Sequence, residues 1–471
     1  VLKLSTIIWD VLARVNKWWL DPSEIRFDKH VSVFEQSTIK WNPKVFTISD
    51  IVDGVYTLRG PRQVGKTTML KLLIKELLDS NFSSDSIIYV MCDLLENSEH
   101  LLKLLVDIRK RVKGRIVIIL DEVTFIKEWQ KAVKLYVDQD FLKETTIIAC
   151  GSHALDLKKG ATYLVGRRGY AKHPIDRILL AMSFREYVEM KFPQIKKIET
   201  LDDVLSMDSL KREAIIEKLY SLFLQYLETG GFPRLIDEFN KEGSIRKESI
   251  NDFINYLSRD VIKLGKSDIL ARALLEAIIK QRCNPTSWNS LAREIGISQP
   301  TAREYGELLT NMYIVKMIYH PNRSFTGGDE RKNKKLIIRD PALYHIITLW
   351  IHNFPEVDMN PKEIILRNLE NEQQYIVEMT ALENISRNNI TYYWKPSKEI
   401  DAIIIKNKKA IGIEIKWQEK ITKSQIRDTI RTFAKIPLKK EKLIIATKNQ
   451  FQQNDTVILI PTPLLLALKK I

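Results

Sequence analysis

The stretch Gly60-Pro61-Arg62-Gln63-Val64-Gly65-Lys66-Thr67-Thr68 holds the residue types that can seat a triphosphate. Its form is G-x-x-x-x-G-K-T, with an apolar strand-like run at 55–58 before it and a helix-like run at 69–78 after it. That is the context a phosphate-binding loop needs. Gly60 and Gly65 let the backbone curl so that its N–H groups face an anion, and the following helix presents its positive end there. Lys66 is placed to reach the β- and γ-phosphates, and the Thr67 hydroxyl to ligate Mg2+. These residues predict binding of ATP or GTP and do not choose between them.

A second set begins at 115–122, where an apolar run ends in Asp121-Glu122. Buried strands rarely end in two carboxylates for packing reasons alone. This Walker B form predicts that Asp121 holds Mg2+ through water and that Glu122 polarises the attacking water. The next strand-like run leads into Gly151-Ser152-His153. Ser152 is a candidate γ-phosphate sensor or a helix N-cap, and the two roles are compatible. In Gly166-Arg167-Arg168-Gly169, either arginine is a candidate finger against the γ-phosphate, in cis or across a subunit boundary. The alternative is a solvated basic turn.

A third set lies near the C-terminus. Strand-like runs 399–405 and 410–416 flank a polar turn at 406–409. A hairpin turning between Asn407 and Lys408 sets Asp401 opposite Glu414, with Cβ atoms roughly 5 Å apart. Lys416, two residues on, points to the same face. Carboxylates and a lysine on otherwise apolar strands are costly unless paired or metal-bound. Two readings remain open: a shared Mg2+ or Mn2+ with Lys416 stabilising the reacting phosphate, or a structural Lys416–carboxylate pair under a partner-binding surface.

The elements that must position these groups follow from the pattern. Apolar β-type runs at 55–58, 87–91, 116–120 and 146–150 alternate with helix-like segments, which predicts a parallel sheet covered by helices. One strand falls between the loop and Walker B, as in the P-loop division with an extra strand and a catalytic glutamate. Residues 183–275 read as amphipathic helices broken at Gly230-Gly231-Phe232-Pro233. In 287–305, Gly296 permits a tight turn, Ser298 caps the next helix and Pro300 sits in its first turn, the spacing of a helix-turn-helix. The β-type run 313–319 and the basic segment 322–333 then predict a wing. If this unit reads DNA, Gln299, Thr301 and Arg303 face the major groove, and Lys332, Lys334 and Lys335 meet phosphates. Winged helices that only join domains are the alternative.

The motifs at 60–68, 120–122, 151–152 and 166–169, with Met182-Ser183-Phe184-Arg185-Glu186-Tyr187 and Gly230–Pro233, resemble a prokaryotic, largely archaeal, ATPase family with an AAA+-type core. The resemblance covers about 41–447. It implies an α/β fold: a P-loop NTPase with a parallel sheet and helical lid, then a winged helix and an α/β restriction-endonuclease-like domain. Asp401, Glu414 and Lys416 are similar to the D…E-x-K core of the restriction-endonuclease and Holliday-junction-resolvase superfamily. Glu378 then matches its extra carboxylate, with Glu372 as the other choice. The expected divisions are 1–44 (N-terminal segment), 45–182 (ATPase core), 183–275 (lid), 276–355 (winged helix) and 356–471 (nuclease-like domain). Within the lid, Arg234 is a candidate nucleotide contact or, failing that, a surface ion pair.

Composition sets the remaining bounds. With 471 residues, 45% hydrophobic and 28% charged, the chain suits a multidomain globular protein. Its net charge of +15 suits a polyanionic partner such as DNA. Three scattered cysteines suggest neither disulfides nor a zinc ribbon, so a reducing, cytoplasmic setting is expected. The apolar stretch 1–20 is broken by Asp10, Arg14 and Lys17, which predicts neither a membrane span nor a signal peptide but an amphipathic helix packed on the protein, with binding to a membrane surface as the alternative. The sequence leaves a homo-oligomer open. The functional expectation is a Mg-dependent ATPase coupled to domains acting on DNA; the alternative is an ATP-switched scaffold that binds a protein or DNA without cleaving it.

Overall fold

A computed structural model describes residues 2–151, 154–357, 359–454 and 456–470. They form two compact units, 1–180 and 181–471.

The first unit is built on a parallel sheet of β1 (Gly54–Arg59), β2 (Ile87–Met91), β3 (Ile116–Asp121), β4 (Thr145–Cys150) and β5 (Asp176–Ile178) in the order β2-β3-β4-β1-β5. Every residue of β3 and β4 is buried. Both are rich in β-branched residues, Ile and Val in β3 and Thr and Ile in β4, as expected of strands covered on both faces. Because β4 lies between β1 and β3, the loop after β1 and the carboxylates after β3 open at the same end of the sheet, as in P-loop NTPases. The segment before β1 packs on this core: Leu12 enters the main apolar cluster, with Ile8, Trp9 and Trp19 against it. It also dresses the free edge of β2. The Asn16 amide exchanges hydrogen bonds with Tyr89 N (2.7 Å) and Tyr89 O (2.9 Å), and the indoles of Trp18 and Trp19 donate to Ile87 O.

The second unit carries an eight-stranded mixed sheet. Its strands are β6 (Val315–Tyr319), β7 (Lys334–Ile338), β8 (Thr391–Trp394), β9 (Ile400–Lys406), β10 (Lys409–Ile415), β11 (Lys439–Thr447), β12 (Gln452–Gln453) and β13 (Ile458–Pro461). The order is β12-β13-β11-β10-β9-β8-β6-β7. The strands expected to form a wing are therefore the far edge of the C-terminal sheet, joined to it where Tyr319 pairs with Tyr392. The helices expected as a lid likewise belong to this unit. Tyr220 and Phe223, on the helix Ser209–Thr229, pack against Trp417, and Tyr226 donates to Met182 O at 2.7 Å. Gly230 and Gly231 allow close backbone approach: a Cβ on Gly231 would meet Met182 O at 2.1 Å. The Met182–Tyr187 and Gly230–Pro233 motifs thus serve the core of this unit.

A helix-turn-helix is present as Trp288–Ile295 and Gln299–Asn311, with Gly296 at φ 72° in the turn. Trp288 lies over Gly306, where a Cβ would clash at 2.2 Å, so this crossing needs glycine. Among the described residues, no helix is long and apolar enough to cross a membrane.

Candidate functional site

Strand β1 delivers the chain into a loop whose backbone is constrained at both ends. A Cβ on Gly60 would lie 2.0 Å from Leu179 O, and Gly65 enters the helix Lys66–Asp79 at φ 95°, the left-handed region that favours glycine. Gln63 shares that region at φ 63°. Lys66 is buried, and its Nζ donates to Gly60 O (3.0 Å) and Pro61 O (2.8 Å), carbonyls of its own loop. The next residue ties this loop to β3: Thr67 Oγ1 donates to Asp121 Oδ2 at 2.8 Å.

Asp121 is held from three sides. Tyr89, on β2, donates its hydroxyl to the same Oδ2 at 2.6 Å, while Oδ1 accepts Glu122 N at 3.0 Å. Burial and then the charge of Asp121 push the Tyr89 phenol well above its ordinary value, so it stays a donor. Beneath the Tyr89 ring, 3.7 Å from its centroid, lies Nζ of buried Lys71, which pairs with Asp28 at 3.1 Å. Burial lowers the Lys71 pKa against the pull of Asp28. Glu122 follows at φ 51°, an unfavourable backbone conformation of the kind that collects at working sites. Thr67 and Asp121 supply the oxygen donors a Mg2+ takes, so this site fits a Mg-nucleotide.

The two arginines separate. Arg168 is buried and spends its guanidinium on Val55 O, Ala161 O and Asp176 Oδ1 (2.7 Å), bracing β1 against β5. Arg167 is half-exposed and pairs with Asp138 at 2.7 Å. Of the two, only Arg167 has a head group near the surface. Ser152 lies outside the described residues.

In the second unit the hairpin register matches the expectation from spacing. Lys409 pairs with Lys406 and Ile413 with Ala402, through a turn with Asn407 at φ 50° and Lys408 at φ 60°. Continued by one residue, this register faces Asp401 with Glu414. Lys416 Nζ pairs with Glu414 Oε1 at 2.7 Å, and Asp401 Oδ2 accepts Ile415 N at 2.8 Å. Glu378, on the helix Gln373–Ile385, joins this centre, whereas Glu372 pairs with Arg282.

Sequence reasoning missed the group in the middle. Lys335, on β7, has a side chain with no exposed surface, and its Nζ contacts Asp401 Oδ1 (2.9 Å), Glu378 Oε1 (3.0 Å) and Glu399 Oε1. The expectation put Lys335 against nucleic-acid phosphates. It is instead an interior cation, because β7 is an edge strand of this sheet with every residue buried. Lys334 is also buried, donating to Glu330 O and Lys332 O, so only Lys332 of the three stays exposed. Oxygens of Glu378, Glu399 and Asp401 lie within 4.8 Å of one another, close enough to share one cation. Burial works against the charge on Lys335, yet Asp401, Glu378 and Glu399 together hold its pKa well above the ordinary value. Burial also opposes ionisation of Asp401, but Lys335 and the Ile415 amide keep it low. Burial and then the charge of Asp401 push Glu378 to about 7 and Glu414 to about 8. Glu414 Oε2 is buried without a hydrogen-bond partner. A Mg2+ or Mn2+ here would need the lone pairs and the space that the Lys335 ammonium takes. In this arrangement the residues do not fit such an ion.

The candidate DNA-reading residues lie at the start of the helix Gln299–Asn311. Gln299 and Arg303 are exposed and Thr301 is half-buried. Arg303 pairs with Glu307 at 2.8 Å and with Glu330 at 3.6 Å, so its charge is already matched within the unit. Arg234 pairs with Asp252 and Glu238, a surface role.

Comparison with known proteins bears on each part. Residues 52–188 match the AAA domain family, so this part of the chain is an AAA-type P-loop ATPase domain, a class that binds nucleotide and usually Mg2+. Residues 220–352 and 373–465 match two domains of unknown function, DUF8612 and DUF4143. An uncharacterized protein of Mycobacterium tuberculosis is 23% identical over 411 residues, 86% of this chain and 80% of its own length. One from Haemophilus influenzae is 27% identical over 278 residues, covering 56% of this chain and 61% of its own. Among solved structures, a Walker-type ATPase of Pyrococcus abyssi aligns at 15% identity and TM-score 0.40, over 62% of this chain and 91% of that one. The ORC1 protein of Aeropyrum pernix, solved in complex with DNA, aligns at 15% identity and TM-score 0.30, over 70% and 95%. Likenesses of that size carry nothing about what this chain binds.

Proposed function

We propose that this protein is a Mg-dependent ATPase of the AAA+ type whose nucleotide state governs a C-terminal half acting on DNA. The observation that carries the reading is the hydrogen bond from Thr67 to Asp121, which ties the phosphate loop to the Walker B carboxylate with Lys66 buried beside it. Lys66 exchanges its two carbonyl partners for phosphate oxygens, and the loop amides of 62–68 orient the triphosphate. Thr67, and Asp121 through water, would hold the Mg2+, whose charge would offset that of the β- and γ-phosphates. Glu122 accepts a proton from the attacking water. Arg167 is the arginine available to a γ-phosphate, in cis or from a second copy, and Ser152 remains a candidate sensor.

For the second half, Gln299, Thr301 and Arg303 of a winged helix would read the major groove, and Glu378, Asp401, Glu414 and Lys416 would form a nuclease-like centre. One observation favours a second reading, the scaffold that binds a protein or DNA without cutting: the cation amid those carboxylates is Lys335. Two measurements test the proposal. Calorimetry with millimolar Mg-ATP should register binding, and silence with both Mg-ATP and Mg-GTP would remove the ATPase. DNA affinity should fall steeply with added salt, by about a factor of a thousand between about 50 and 200 mM for six phosphate contacts. No affinity even at the lower salt would leave a protein-directed scaffold.

A further inference from the structure

A carboxylate cluster by itself says little, since ammonium groups neutralise many such clusters. Two independent features set this one apart. The first is convergence from three separate elements: Glu378 from a helix, Glu399 and Asp401 from the start of β9 and the residue before it, and Lys335 from β7 across the sheet. The second is Glu414 Oε2, buried and unpartnered at the strand position that the hairpin register sets opposite Asp401. Such an orphaned oxygen is costly in a folded interior unless something else once satisfied it or can satisfy it. Lys416 and Lys395 pair with Glu414 and Glu399 at the margin, leaving Lys335 alone at the middle.

We propose that Lys335 is a tethered cation standing where a divalent ion would otherwise sit, so that the native chain takes up no metal at this centre and carries a latent metal site beneath the lysine. The inference rests on reading Glu378, Asp401 and Glu414 as a nuclease-like set. An ammonium contributes charge and three donors at fixed positions. It offers no Lewis-acidic orbital, no bound water of lowered pKa and no exchangeable coordination position. The centre thereby keeps one of the two positive charges a divalent ion would supply and loses the hydrolytic chemistry. Because Lys335 is supplied by β7, the same ammonium pins that edge strand to the helix and to β9. A structural function replaces the catalytic one.

The test uses the full chain without nucleotide, with Mn2+ uptake followed by the electron paramagnetic resonance of the free ion, and melting temperature in parallel. Native protein and Asp401→Asn should take up the same amount of Mn2+. Lys335→Ala should be less stable than native protein and should regain at least about 5 °C in melting temperature with millimolar Mn2+, a stabilisation of the kind a ligand specific to the folded state confers. Lys335→Ala/Asp401→Asn should gain none. Uptake by native protein that Asp401→Asn abolishes overturns the proposal. So does a Lys335→Ala chain that shows no Asp401-dependent response to Mn2+, whether it stays unfolded or folds without the ion. Cleavage assays separate this from the reading beneath it. A Lys335→Ala chain that binds Mn2+ but cuts no branched, supercoiled or single-stranded DNA leaves the latent site standing and removes the nuclease-like assignment. Metal-dependent cleavage by the native chain, lost in Asp401→Asn, does the reverse.

Discussion

Lys66 and Lys335 are both buried ammonium groups, and they differ in what they are bonded to. Lys66 donates to two neutral carbonyls of its own loop. Lys335 contacts three carboxylates from distant parts of its unit. A hydrogen bond to a neutral carbonyl contributes about 1 kcal/mol net, and removing one partner of a buried ion pair costs about 3–5 kcal/mol. The first lysine is therefore free to exchange its partners for an anion, and the second is committed. Two lysines of similar burial thus differ in their partners, and the roles proposed for them, a phosphate-binding cation and a structural one, follow that difference.

The sharpest way to break that contrast is to truncate both. Lys66→Ala should abolish nucleotide binding, so that millimolar Mg-ATP no longer shifts its melting temperature, while the nucleotide-free protein melts close to the native value. Lys335→Ala should do the opposite: it lowers the stability of the second unit by about 3–5 kcal/mol in denaturant titration and leaves ATP binding by the first unit intact. Equal stability losses in the two variants would erase the distinction. Next in size, Glu122→Gln should bind ATP yet hydrolyse it at least about a hundredfold more slowly, as a lost general base requires. Native turnover would take Glu122 out of the mechanism.

Smaller effects sharpen the picture of each site. Tyr89→Phe removes one donor from the Asp121 carboxylate, and a hydrogen bond to a charged group is worth about 1.5–3 kcal/mol. Turnover should drop about tenfold and recover in part at higher Mg2+, whereas a purely packing role for Tyr89 would leave the Mg2+ dependence unchanged. A pH slope in the second unit adds a separate check. The pKa of Glu414 is raised to about 8 by burial and by Asp401, so the folded state favours its protonated form. That stabilisation is complete below the ordinary carboxylate value and is lost as pH rises through about 8. The melting temperature of the second unit should decline between about pH 5 and pH 9, and Glu414→Gln should reduce the decline to the share of Glu378, whose pKa is raised to about 7. An unchanged slope would place the titration elsewhere.

Much of the first site is legible in the sequence, because its chemistry is local. The glycines, Lys66 and Thr67 lie within one loop, and Asp121-Glu122 ends a strand whose apolar run announces burial. The hairpin register of β9 and β10 is legible for the same reason: a two-residue turn between alternating runs leaves a single pairing. Lys335 is not, because β7 joins this sheet through β6, whose parallel pairing with β8, Tyr319 with Tyr392, lies far along the chain. Read locally, Lys332 to Lys335 is a basic wing. The available clue was that Leu336-Ile337-Ile338 continues directly from Lys335, an apolar run that draws its first residues inside with it. The role of Arg168 was hidden similarly, since only the fold brings it to Asp176.

The trimming of β2 by Asn16, Trp18 and Trp19 has its own consequence. An amide and two indoles there counterfeit a sixth strand, occupying Tyr89 N, Tyr89 O and Ile87 O. A sheet margin closed in this manner offers no template for augmentation by another molecule. Strand addition to the nucleotide-binding half at this margin is therefore blocked, and the opposite edge of its sheet is the short strand β5.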